Sequence, residues 1–450
     1  MNNNVDVLND PKGAFWKIAT PLFFLSLFAS VISFVNLFWI SKLSQDAFFA
    51  FGVSQPLISL IYGFGQSIGV GTNSLMSREI GAKDVDGEYN TILHGILACL
   101  LLGAVFALLT LFLKDILSLM NVTESVDLAV DYLTPMLSFA FLIMLSSLFT
   151  NTLQAEGNSK TPSNVIMVTS ILGVILVPIF IFIFDWGIKG VAYATILPSL
   201  LAVLYFLYLY LSGKTKVSMN FKYFKPGIVY QIFVVSVPNL IIGALWSIVG
   251  MFINSVLIEQ LGQIGVLLYS SATQIQSLMS SPQSSFGNSL LTVGGQLSGA
   301  KENQKLKQMY EYVLEISISM SLICTVIFFF IRDYGFALFS VTGVETLVLY
   351  IAIFGIVIVA SENVSKVSDK LLDGLGKSYH SLIMTIGTVL FEIGSIYLLS
   401  LILTSGLCVL VGIAIGELIF AAISVYLVWS ILNGENKLEK DIDEIEKLES

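Results

Sequence analysis

The chain has 450 residues, 56% of them hydrophobic and 12% charged, with a formal net charge of −9. Soluble domains carry roughly 45–50% apolar and about 25% charged residues, so a water-soluble globule is excluded and lipid must cover the surplus apolar surface. Mean hydropathy is +0.86; the acidity, much of it in the tail 436–450, says little about partners, and no nucleic-acid partner is expected.

In chain order, 1–14 is a polar segment with no basic stretch followed by a short apolar core, so no cleaved signal peptide is expected. A bilayer-spanning helix needs roughly 20 apolar residues. Six such runs follow at 15–41, 48–76, 91–113, 128–152, 163–184 and 188–212, forming a predicted N-lobe over 15–212. Residues 213–228, with Lys214, Lys216, Lys222 and Lys225, read as a linker. Six more runs at 229–258, 265–294, 309–331, 345–372, 379–403 and 407–432 form a predicted C-lobe over 229–432. Residues 433–450 close the chain as an acidic tail with an amphipathic helical pattern. Cys99, Cys324 and Cys408 lie in apolar runs and read as small core residues. His94 and His380 read as interfacial. No Walker loop, His-Glu-x-x-His, Cys-x-x-Cys or nucleophile elbow occurs, so neither an enzyme nor a cofactor is expected.

Two further patterns support twelve spans. With the termini and even-numbered loops on one side, sixteen Lys and Arg collect there, against Lys42, Lys114, Lys189 and Arg332 opposite. The positive-inside rule then puts both termini in the cytoplasm of a multi-pass cell-membrane protein. The chain also repeats itself: Gly81-Ala82-Lys83 recurs as Gly299-Ala300-Lys301 and Asn36 as Asn254, at a shift of 218, while Gly187 and Gly406 pair at 219. An even number of spans per copy relates the copies by a pseudo-two-fold axis along the membrane normal, an architecture found mainly in transporters.

Arg78-Glu79-Ile80-Gly81-Ala82-Lys83 follows the second span, and Gly295-Gln296-Leu297-Ser298-Gly299-Ala300-Lys301 the eighth. Residues 153–162, Leu-Gln-Ala-Glu-Gly-Asn-Ser-Lys-Thr-Pro, and 372–378, Leu-Asp-Gly-Leu-Gly-Lys-Ser, follow the fourth and tenth. These four loops resemble those of multidrug and toxic compound extrusion (MATE) transporters over nearly the whole chain. The resemblance implies an all-α membrane fold of two six-helix lobes and cation-driven efflux of organic molecules. Departures are visible too. Where family members carry an Asp on the first span this chain has Asn36; Gly173 and Val177 stand at fifth-span polar positions, and Trp246 replaces a Glu of the seventh.

Ionisable groups deep in a span are costly unless paired, hydrated or neutral, and so mark candidate sites. Glu362, Glu392 and Glu417 fall near mid-span, all in the second half. Glu362 also matches an acidic family position on the tenth span. The expected cation site is therefore Glu362 and Glu392, with Asn254, Asn363 and Glu417 as helpers. Sodium would seek several oxygens there, whereas a proton needs one carboxylate. Glu362 and Lys366 are also spaced i,i+4, as in a plain neutralising pair. Asn36, Tyr62, Gln66, Trp246, Tyr269 and Gln274 are the expected substrate-lining residues, since the resemblance puts their spans around the cleft and aromatics hold lipophilic cations. The expected activity is antiport of small amphipathic or cationic organic solutes against Na+ or H+ by a monomer. The rival is a flippase for lipid-linked oligosaccharides or polyisoprenoids, which would call for a basic cavity.

Overall fold

The computed structural model of the chain describes residues 7–119, 125–215, 227–261, 263–337, 345–403 and 406–434. Among them every regular element is helical, as expected where no water is present to satisfy backbone groups. The helices are α1 Pro11–Leu43, α2 Gln45–Ala82, α3 Val85–Leu109, α4 Leu113–Leu119, α5 Val126–Ser138, α6 Ala140–Ala155, α7 Lys160–Pro178, α8 Gly187–Leu211, α9 Gly227–Leu261, α10 Gln263–Gly299, α11 Asn303–Ala337, α12 Glu345–Gly374, α13 Ser378–Ser400 and α14 Leu407–Leu432. Asp10, Ser44 and Asp84 start α1, α2 and α3 by accepting from the amides of Gly13, Ala47 and Gly87, which satisfies donors that the first helical turn leaves free.

Each of the twelve expected spans falls on a helix or a pair of helices. The fourth is broken: α5 and α6 meet at Phe139 with a bend of 48°. The Phe139 amide there bonds back to Pro135 O. The fifth ends, past Pro178, in a π-helical turn at Ile179–Ile183. Eight described helices are long and apolar enough to cross a membrane by themselves, and the bent pair makes a ninth.

The duplication is visible in the backbone. Lys83 (φ 61°) and Lys301 (φ 60°) turn left-handed just past α2 and α10. Gly157 (φ 83°) pairs with Gly376 (φ 75°), and Gly187 (φ 54°) with Gly406 (φ 73°), at a shift of 219 in each case. Similar loops reverse the chain at matching places in the two halves.

The chain divides into two compact units, Met1–Leu240 and Ile241–Ser450. The division falls inside α9, while most of the expected linker, 216–226, lies outside the described residues. Packing explains why the start of α9 belongs to the first unit: Ser236 Oγ donates to Ser67 O at 2.9 Å. Gly71 permits this approach, since a Cβ there would lie 2.6 Å from Ile232 O. Elsewhere in this unit α2 lies against α6, with Gly65 facing Met144 and Gly69 facing Asn151. Backbones come this close where small residues remove side-chain bulk.

In the second unit α12 touches α10, α11, α13 and α14, and α13 packs along α14. His94 and His380, expected near the interface, are buried within the protein. Packing of neighbouring helices covers them, which a position near the end of an apolar run does not reveal. The three cysteines are free. The tail from 435 onward lies outside the described residues.

Candidate functional site

The second unit encloses a cavity of about 520 Å³ lined by α9 to α14, a size ordinary for sites that take small organic molecules (roughly 300–1,000 Å³). Its walls are mainly apolar, with Trp246, Tyr269, Met279, Phe328, Met384 and Phe420 among them. Into this lining project four carboxylates: Glu362 and Asp369 from α12, Glu392 from α13 and Glu417 from α14. Lys366 is the one basic residue of the lining among the described residues.

Helical spacing makes this convergence. Glu362, Lys366 and Asp369 stand at i, i+4 and i+7 on α12, which places them on one face. Thr385, Thr388 and Glu392 share a face of α13 at i, i+3 and i+7, and Ile413, Glu417, Phe420 and Ser424 share one of α14 at i, i+4, i+7 and i+11.

The carboxylates are not equivalent. Glu362 accepts from Lys366 Nζ at 2.5 Å on one oxygen and from Gln276 Nε2 on the other. Its side chain is 23% exposed and that of Lys366 41%, so the pair sits at the edge of the open space. The i,i+4 pairing read from the sequence is thus made, and it does not keep Glu362 out of the cavity. Glu392 is only 1% exposed and Glu417 5%. Oε1 of Glu392 has no hydrogen-bond partner among the described residues, and no ion pair there includes Glu392 or Glu417.

The other expected site residues distribute as follows. Trp246 and Tyr269 line the cavity. Asn363 does not: it is buried, and its Nδ2 donates to Ser321 Oγ on α11 at 3.0 Å. Neighbours on a helix point about 100° apart, so Glu362 in the cavity turns Asn363 toward another helix. Tyr62 and Gln66 belong to the first unit, where Tyr62 is half exposed and Gln66 accepts from Ser147 Oγ at 3.2 Å. The side chains of Asn36, Asn254 and Gln274 lie outside those described. Glu362 and Glu392, the two carboxylates expected to hold the cation, both line the cavity.

Sequence reasoning missed the hydroxyls of Thr325, Thr385, Thr388 and Ser424 in the lining. The two α13 threonines had a readable signal in their spacing from Glu392. It also passed over Glu156, which ends up buried at the end of α6.

A family model described as MatE matches residues 21–179 and again 238–398. The chain belongs to the MATE family. It is therefore a multi-pass membrane protein, and its two matched segments are its two repeats. Among curated proteins it is similar to the multidrug export protein MepA of Staphylococcus aureus (strain NCTC 8325 / PS 47), with 27% identity over 247 residues, 54% of each chain. The aligned stretch thus spans about half the length of the curated relatives it matches. Among solved structures it is similar to a MATE crystal structure in the straight conformation (TM-score 0.92, 25% identity, 97% of this chain and 99% of that one). It is also similar to a MOP-superfamily transporter from Pyrococcus furiosus Vc1 described as having a binding pocket of reverse polarity (TM-score 0.90, 26% identity, 97% and 99%). This MATE-family chain shares their all-helical, two-lobed fold.

Proposed function

We propose that the protein is a secondary multidrug efflux transporter of the cell membrane, with both termini cytoplasmic, that exchanges a small amphipathic or cationic organic solute for Na+ or H+ by alternating access. The observation that carries the reading is the cavity of the second unit: four carboxylates against one lysine, set in an aromatic and aliphatic wall. An apolar wall takes up the body of a lipophilic cation, aromatic faces attract its charge, and buried carboxylates can bind either that cation or the coupling ion. Antiport needs only that the two ligands compete or lower each other's affinity. The name of the Staphylococcus aureus relative, a multidrug export protein, supports the same reading. The flippase alternative calls for a basic lining around a lipid phosphate, and Lys366, held by Glu362, is a poor basis for one.

The test is export of ethidium from proteoliposomes holding the purified chain, driven by an imposed cation gradient. Wild type is expected to move ethidium uphill, and Glu362→Gln, reconstituted at equal density, to lose at least tenfold in rate. Uphill export by that variant at the wild-type rate would remove Glu362 from the mechanism.

A further inference from the structure

Two kinds of lysine environment occur among the described residues. Lys114, Lys189, Lys305, Lys366 and Lys370 each face a carboxylate, that of Asp127, Asp131, Glu302, Glu362 and Asp373 in turn. Lys214 and Lys307 face an aromatic ring instead, and no carboxylate pairs with either among the described residues. We infer that these two lysines mark two binding sites for an anionic phospholipid, one at the end of each repeat's last span. The ammonium holds the lipid phosphate, and the exposed ridge of the span beside it holds the acyl chains. The inference takes from the proposal above only the side of the membrane, the cytoplasmic one, to which both lysines are assigned.

Each site is built alike from different residues. On α8 the exposed side chains of Leu201, Leu204, Tyr208 and Leu211 stand at i, i+3, i+7 and i+10, one ridge along a helix apolar enough to cross a bilayer. Just past its end, Lys214 Nζ donates to Tyr208 Oη at 2.7 Å and lies 4.7 Å from the ring centre. On α14, Ile415, Leu418, Tyr426 and Trp429 form the matching exposed ridge at i, i+3, i+11 and i+14. At the repeat shift of 219, Lys214 falls on Asn433, so the second repeat has no base at that position. Lys307 of α11 supplies one: its Nζ donates to Asn433 Oδ1 at 3.2 Å and lies 5.1 Å from the centre of the Trp429 ring. Unrelated positions in the two copies thus bring an ammonium to the same place, the end of the sixth span.

The chemistry selects the ligand. An ammonium has three N–H donors, and Lys214 and Lys307 each give one to a neutral oxygen. The other donors and the whole charge stay available. A lysine stem lies along apolar surface while its head reaches the polar layer, and Tyr and Trp settle at the same depth. The ring contact therefore fixes each ammonium at the height of the lipid phosphates. Bases near the membrane surface are drawn to anionic lipids, whereas a zwitterionic headgroup brings an ammonium of its own to repel the lysine. The acidic tail 436–450 is the rival occupant for Lys307. Lys214, however, is followed by Lys216, Lys222 and Lys225, not by acids. A common occupant for two sites built alike is therefore the lipid.

The experiment counts lipids on the full chain in detergent by native mass spectrometry, with phosphatidylglycerol as probe and phosphatidylcholine as zwitterionic control. Wild type is expected to retain two phosphatidylglycerol molecules that phosphatidylcholine at equal concentration does not replace. Lys214→Gln and Lys307→Gln are each expected to weaken one site about fivefold, and the double variant to weaken both. Lys214→Arg and Lys307→Arg, which keep the charge, are expected to keep both lipids, a rescue that a folding defect would not allow. Equal retention of the two headgroups, or full phosphatidylglycerol retention by the double Gln variant, overturns the inference. So does release of the lipid by excess glycerol phosphate, which would make the ligand a free phosphate. A Lys307 effect seen only after removal of residues 436–450 would give that lysine to the tail and overturn the second site. The readout is lipid, not drug, and detergent hides sidedness. Loss of the lipid result therefore leaves the efflux reading standing, and failed ethidium export by lipid-retaining protein strikes that reading alone.

Discussion

Lys366 is the residue whose removal separates substrate electrostatics from packing. Its Nζ lies 2.5 Å from Glu362 Oε1, and among the described residues it is the one base lining a cavity that holds four carboxylates. An organic cation drawn to Glu362 would sit roughly 6 Å from that ammonium. At an effective dielectric constant of about 20, two unit charges at that distance repel by ~2.8 kcal/mol. Water contact and salt at this part-exposed site reduce the figure by about half, to ~1.4 kcal/mol. Lys366→Met should therefore tighten ethidium binding about tenfold. Lys366→Arg, which keeps the charge, should leave it near the wild-type value. Stability should fall by only ~1 kcal/mol or less, because the pair is partly solvated. The assay is quenching of intrinsic tryptophan fluorescence in detergent at two salt concentrations, with the difference between variants shrinking at the higher salt. At saturating ethidium the Met variant should also export more slowly, since tighter binding delays release. Affinity in Lys366→Met equal to or weaker than wild type would refute the reasoning, because it would mean that no cation is held near Glu362.

Two other outcomes follow from the same coordinates. Glu79 lies three residues past the expected end of the second span, with Thr91 Oγ1 at 3.0 and 2.8 Å from its two oxygens, and burial pushes its carboxyl up to about 8. A raised folded value means that its contribution to stability is complete below the ordinary carboxyl range and is lost as pH rises through about 8. Glu79→Gln, which stays neutral, should match wild type in Tm near pH 5 and exceed it near pH 9; a gap that widens toward acid would show the sign to be wrong. Gly374 closes α12 against α10, where a Cβ would meet Leu291 O at 2.6 Å. Because the obstacle is backbone, Gly374→Ala must part the helices at a cost of about 1–3 kcal/mol, and an unshifted Tm in thermal unfolding would show that the crossing yields freely.

Composition alone placed this chain in a bilayer, because no arrangement of so apolar a sequence can satisfy water. Hydropathy runs set the number and order of the spans, and the constant shift between Gly81-Ala82-Lys83 and Gly299-Ala300-Lys301 revealed the repeat. Both are properties of the chain read along its length. The cost of an ionisable group in an apolar run is equally local, which is why Glu362, Glu392 and Glu417 stood out before any fold was known.

What a helix does around its axis is another matter. Whether three glutamates on three helices share one cavity depends on the rotation and contact of α12, α13 and α14, and those are set by close approaches such as Gly416 on Glu392 and Gly374 on Leu291. The same rotation turned Asn363 onto Ser321. Packing of Ser236 against Ser67 put the start of α9 with the first unit. Hydropathy reports how deep a residue lies along its span, and only helix-to-helix packing decides what it faces.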